Sequence, residues 1–131
     1  MDLNFGSLLI FDLKDIDPTN ITNEYLLRNL LKTIVEDIME MKIIQQPMFE
    51  YFEDNEYNRE KGLIGYSITC IISLSSITVH ICDIQKTAFF DIFTCCILTD
   101  TMIDEINQVL FNFFKQKETR TKLIPRGVNM N

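Results

Sequence analysis

The stretch GYSITCIISLSSITVHIC, Gly65 to Cys82, decides the fold. From Gly62 to Cys82 there is no Asp, Glu, Lys or Arg, a run that approaches the length of a membrane span. Its content argues for strands instead: Ser67, Thr69, Ser73, Ser75, Ser76 and Thr78 interrupt it with hydroxyls, and Ile, Val and Thr suit a pleated, half-buried surface. Two consecutive strands, GYSITCIISL and SITVHIC, meet at Ser75-Ser76. In the second, Ile77, Val79 and Ile81 face one way and Ser76, Thr78, His80 and Cys82 the other, so the chain's single histidine opposes the greasy face.

Working outward, KTAFFDIFTCCI (Lys86 to Ile97) reads as the next strand, with Phe89, Asp91, Phe93 and Cys95 on one face and Cys96 pointing oppositely. Upstream, SLLIFDLKDI (Ser7 to Ile16) is an apolar run of strand length, closed by the turn residues of DPTN. Thr22 or Asn20 can cap a helix over Asn23 to Glu40, where Leu27, Leu30, Leu31, Ile34 and Ile38 recur at helical spacing. KIIQQPMFEYF (Lys42 to Phe52) reads as a strand in which Pro47 places a bulge or an edge, and EDNEYNREKG (Glu53 to Gly62) as a charged loop. Thr99, Asp100 or Thr101 can cap a second helix that buries Ile103, Ile106, Leu110, Phe113 and Phe114, and TKLIPRG (Thr121 to Gly127) returns as a short final strand. The order strand, helix, several strands, helix, strand predicts an α+β fold. It is a two-layer α/β sandwich, a mostly antiparallel sheet with two helices on one face.

A chain of 131 residues that is 47% hydrophobic, with only 4 Gly and 3 Pro, fits a single domain, 1–131, with a real core. Its net charge of -7, from 19 acidic and 12 basic residues, gives no electrostatic support to a phosphate-tracking surface, so nucleic acid is not an expected partner. MDLNFGSLLIFDLKD has an acid at position 2 and no basic leader, so it does not read as a signal peptide; a cytoplasmic protein without membrane association is expected. Cys70, Cys82, Cys95 and Cys96 form no CxxC pair and no second histidine is present, so no metal site is expected. Each thiol is read first as a small buried hydrophobe.

Gly65 to Cys95 and the terminal Ile124-Pro125-Arg126-Gly127 resemble the prokaryotic-type S-adenosylmethionine decarboxylases, which make their own pyruvoyl cofactor. The residues that carry the resemblance are Gly65-Tyr66-Ser67, Ile71-Ile72-Ser73-Leu74-Ser75, His80 five residues on, and Asp91-Ile92-Phe93-Thr94-Cys95. With the first strand and helix, the likeness covers most of the chain. It implies that the Ser75 hydroxyl attacks the carbonyl of Leu74, that His80 assists the elimination that follows, and that Ser67 supports processing. The chain is then cut between 74 and 75, leaving a pyruvoyl group derived from Ser75. This group would act as electron sink while the substrate loses carbon dioxide. Cys95 would return a proton to the substrate carbon. The resemblance further implies a homodimer, an α/β/β/α sandwich with sheet stacked on sheet, and S-adenosylmethionine as the substrate, decarboxylated for spermidine synthesis.

The chain departs from the family's pattern at several positions. Leu74 stands where the family has glutamate, Ser76 where bacterial members have histidine, and Cys96 where glycine usually follows the cysteine. Cys82-Asp83-Ile84 replaces an aromatic, a proline and a glutamate of the nucleoside pocket, so an adenine-stacking ring has to come from Phe49, Tyr51 or Phe52. The loop after Phe52 is also longer. Two alternatives stay open: a pyruvoyl-dependent decarboxylase of an amino acid such as arginine, and a non-catalytic paralogue that forms a heterodimer with a catalytic partner.

Overall fold

A computed structural model of the chain describes residues 4–21 and 23–127. Six strands, β1 (Asn4–Lys14), β2 (Met48–Phe52), β3 (Gly65–Ile72), β4 (Ser75–Cys82), β5 (Thr87–Thr94) and β6 (Glu118–Gly127), form one sheet in the order β2-β3-β4-β5-β1-β6. Every neighbouring pair is antiparallel. Helices α1 (Glu24–Lys32) and α3 (Asp100–Phe114) cover one face, and a short α2 (Glu56–Lys61) lies in the β2–β3 connection. No helix among the described residues is long and apolar enough to cross a membrane.

Period-2 patterning explains why helices settle on one side only. Leu9, Phe11 and Leu13 of β1, Ile68, Cys70 and Ile72 of β3, Ile77, Val79 and Ile81 of β4, and Phe90 and Ile92 of β5 are buried in one cluster with Leu27, Leu30 and Leu31 of α1 and Ile106, Leu110 and Phe114 of α3. Phe90 meets Phe114 edge to face, ring centroids 5.8 Å apart. The alternate residues, among them His80, Phe89 and Asp91, stand exposed on the other face. The expected α+β arrangement, an antiparallel sheet with two helices on one side, is the one observed.

Several local expectations are corrected by the structure. The cap of α1 is Asn23, whose side chain accepts from the Leu26 N–H at 3.1 Å. Asn20 instead closes a 3₁₀ turn, Pro18–Asn20, and Thr22 lies outside the described residues. The helix expected to run evenly to Glu40 passes at Thr33–Ile38 into π winding, seen in the Met39 N–H bonding to the Ile34 carbonyl at 2.9 Å. β2 begins only at Met48, because Pro47 lacks an N–H for the ladder and biases the residue before it away from regular structure. The charged loop after it contains α2, capped by Asn55 and stopped by Gly62 at φ 70°. β6 is longer than expected, and as the edge of the sheet it tolerates Pro125. β5 ends at Thr94, so Cys95 and Cys96 lie in a bend and strand alternation does not govern them. Of the three candidate caps for α3, Thr99 serves, accepting from the Met102 N–H at 3.2 Å.

Phe90 and Phe89 are neighbours on opposite faces, which gives a direct check. Phe90→Ala should cost about 3–5 kcal/mol, the usual loss for a buried aromatic. Phe89→Ala should cost far less within one chain; urea denaturation of each variant measures the difference.

Candidate active site

Two clusters of reactive side chains result from this architecture, one at each end of β4. The first surrounds Ser75. The β3–β4 hairpin closes through only two residues, Ser73 and Leu74, and Ser73 takes φ 50°, a left-handed conformation that a non-glycine residue adopts under strain. Ser75 follows at once, buried, while Leu74 is 68% exposed. The backbone N–H of Cys95 donates to Ser75 Oγ at 3.1 Å, and Ser75 Oγ lies 3.7 Å from Cys95 Sγ. Ser75 Oγ also lies 3.3 Å from Thr94 Oγ1. Thr94 is fully buried and its hydroxyl reaches Cys96 Sγ at 3.0 Å and Met41 Sδ at 3.9 Å. Gly6 makes this packing possible: a Cβ there would collide with the Thr94 carbonyl, and the β1–β6 register shifts beside it.

The second cluster lies on the open face. Ser67 and His80 are cross-strand partners in β3 and β4, with Ser67 Oγ 2.9 Å from His80 Nδ1; the imidazole tautomer decides which group donates. Beside them is a cavity of about 200 Å³ lined by Phe52, Leu63, Gly65, Tyr66, Ser67, His80 and Cys82. Gly65 is obligatory here, because its φ of 141° suits no L side chain and a Cβ would strike the Ile81 carbonyl. Burial pushes the Tyr66 phenol above its ordinary range.

The structure therefore brings Ser75 to Cys95 and Ser67 to His80, but it does not bring the two pairs together. Ser75 and His80 are five residues apart on one extended strand, roughly 16 Å at about 3.3 Å per residue, and on opposite faces. The three candidate stacking rings also separate. Phe49 and Tyr51 pair with Ile68 and Tyr66 on the helix-bearing side, where Arg28 lies 4.5 Å from the Phe49 ring centroid and the Tyr51 and Tyr66 centroids are 4.8 Å apart. Phe52 alone shares the wall of the His80 cavity. Thr94 has no role that sequence reasoning could assign, since a threonine at a strand end carries no signal of its own; its contacts depend on where β5 stops.

A family model described as S-adenosylmethionine decarboxylase matches residues 7–127. No curated protein matches the chain significantly. Among solved structures, the adenosylmethionine decarboxylase from Aquifex aeolicus VF5 is similar with a TM-score of 0.74 at 16% sequence identity, over 97% of this chain and 94% of that one. At that identity the likeness establishes the fold.

The four thiols should differ in reactivity. Cys70 is fully buried and burial pushes its thiol up to about 11, so almost none is thiolate at neutral pH, whereas Cys82, Cys95 and Cys96 are half-buried. Iodoacetamide at pH 8 should leave Cys70 unmodified until the protein unfolds and should modify thiols among the other three. Peptide mapping reads the outcome, and native labelling of Cys70 at their rate would contradict this account of its burial.

Proposed function

Since the chain belongs to the S-adenosylmethionine decarboxylase family, we propose that it cuts itself between Leu74 and Ser75 and then decarboxylates S-adenosylmethionine as a cytoplasmic homodimer, supplying spermidine synthesis. The observation that carries this reading is the placement of Ser75. Its hydroxyl is buried at a strained two-residue turn, is held by the Cys95 N–H, and has a thiol 3.7 Å away. On this reading Ser75 as nucleophile and Cys95 as proton donor share one site.

The chemistry follows from these groups. The Ser75 oxygen attacks the Leu74 carbonyl, converting the peptide bond to an ester. The Cys95 N–H supports the charge that builds on the oxygen as its proton leaves, a charge-assisted bond stronger than a neutral one. Ser73 holds strain of order 1–3 kcal/mol one residue before the bond to be cut. The groups around Ser75, the Thr94 hydroxyl, the Cys95 thiol and one backbone donor, suit a pyruvoyl group formed from the serine. That group supplies an electron sink for decarboxylation. Cys95 Sγ holds the proton that the substrate carbon receives.

His80 and Ser67 need a second copy. A two-fold axis lying between two stacked sheets, parallel to them and perpendicular to β4, reverses strand direction and lays the His80 end of one β4 over the open side of the strand end that carries Ser75 in the other. The open face supports such stacking, because it carries Leu8, Ile10, Ile71, Phe89 and Phe93, and a sheet covered on one side leaves this apolar surface to be buried. The separation of the two clusters also favours a second reading. A chain that never cuts itself can still lend Ser67 and His80 to a catalytic partner.

Intact mass distinguishes the readings: the enzyme should resolve into 1–74 and 75–131, with Ser75→Ala remaining whole, whereas a wild-type chain that stays whole supports the partner-subunit reading. For the shared site, Ser75→Ala and His80→Ala should each stay uncut alone. Co-expression should restore cutting of the His80→Ala chain, and a mixture that remains whole would show that His80 does not act across the dimer. For the substrate, borohydride trapping should give an adduct with S-adenosylmethionine and none with arginine. Phe52→Ala should weaken that binding about tenfold to a hundredfold, the worth of one base–ring stack at about 1–3 kcal/mol, while Tyr51→Ala leaves it unchanged.

A further inference from the structure

Resting on that reading of Ser75, we infer that Thr94 and Cys96 form the relay that removes the Ser75 proton during self-cleavage, with Thr94 as the positioning residue and the Cys96 sulfur as the acceptor. The hydrogen bonds around Ser75 assign the direction. The Cys95 N–H donates to Ser75 Oγ and the Cys96 N–H donates to Thr94 Oγ1, each at 3.1 Å, so both hydroxyl oxygens already accept a backbone bond. Their own protons must then point elsewhere. Ser75 can donate to Thr94 Oγ1 at 3.3 Å or to Cys95 Sγ at 3.7 Å. Thr94 can donate to Cys96 Sγ at 3.0 Å or to Met41 Sδ at 3.9 Å. Of the two sulfurs Cys96 is much the nearer to Thr94, and a continuous line of contacts runs Ser75 to Thr94 to Cys96.

Burial closes the direct path to water. Ser75 is 4% exposed and Thr94 not at all, so bulk water does not reach the serine proton directly. Cys96, at the end of this chain of contacts, is only half-buried. A methionine thioether has no proton to pass on, whereas a thiol accepts one as it gives up its own. In the acyl shift the Ser75 Oγ–Leu74 C bond forms and the Leu74 C–Ser75 N bond breaks. The serine proton moves to Thr94 as the Thr94 proton moves to Cys96 Sγ, and the Cys96 thiol gives up its own proton through solvent to the freed amine. One proton passes from oxygen to nitrogen, and no oxidant or other reactant is consumed.

The test follows cutting of the newly synthesised full-length chain by intact mass. Thr94→Val, nearly isosteric, and Cys96→Ala should each slow cleavage about a hundredfold, within the range that a positioned base contributes. Thr94→Ser should restore a rate close to wild type. The double variant should be no slower than either single one, because the two residues act as a unit. Should Thr94→Val not fold, Cys96→Gly at the half-buried position tests the same step. Wild-type rates in Cys96→Ala or Cys96→Gly, or effects that multiply in the double variant, would overturn the relay while leaving cleavage at Ser75 intact. A wild-type chain that is never cut would overturn both.

Discussion

Alternation of side chains along β4, with only one face covered by helices, is the constraint on which the rest of the molecule depends. Ile77, Val79 and Ile81 must enter the apolar cluster beneath α1 and α3, and this assigns every other residue of the strand to a face. Ser75 falls on the helix-bearing side and His80 on the open side, five residues and an odd number of steps away. Reactive groups that belong together in sequence are thereby separated in one chain. The apolar residues of the open face leave that side of the sheet to be covered.

The surroundings of Ser75 are built from elements that end there. β5 stops at Thr94, β3 stops at Ile72, and β1 yields at Gly6, which has no Cβ to strike the Thr94 carbonyl. Where strands end, backbone N–H groups are freed from the ladder, and those of Cys95 and Cys96 turn to the hydroxyls of Ser75 and Thr94. A dry, fully bonded hydroxyl pair next to a strained turn is a site with little freedom to rearrange. Such rigidity suits a reaction of a protein with its own backbone, in which no substrate has to enter.

Residues that depart from their expected roles do so for identifiable reasons. Phe49, Tyr51 and Phe52 look equivalent in sequence because an interrupted strand gives no register. Once Met48 is paired with Thr69, Phe52 alone faces the His80 cavity. A strand continuing to Ile97 would send Cys95 and Cys96 in opposite directions; β5 ends at Thr94, and both come close to the Ser75–Thr94 pair. The short helix α2 has its signals in view, Asn55 before Glu56 and Gly62 after Lys61, but six residues of charged sequence carry no apolar periodicity to mark a helix.

By itself the sequence determined the α+β class, the two principal helices, the faces of β4 and the family motif from Gly65 to Cys95, because these depend on periodicity and spacing along the chain. Tertiary structure alone decided that Ser75 meets Cys95 and Thr94 while His80 meets Ser67 at the other end of the strand. It also decided that Cys96 joins the first group and that Phe52 joins the second. The physical reason is that these contacts lie across strands, and cross-strand neighbours are set by pairing register and by where each strand stops, neither of which is written in the local order of residues.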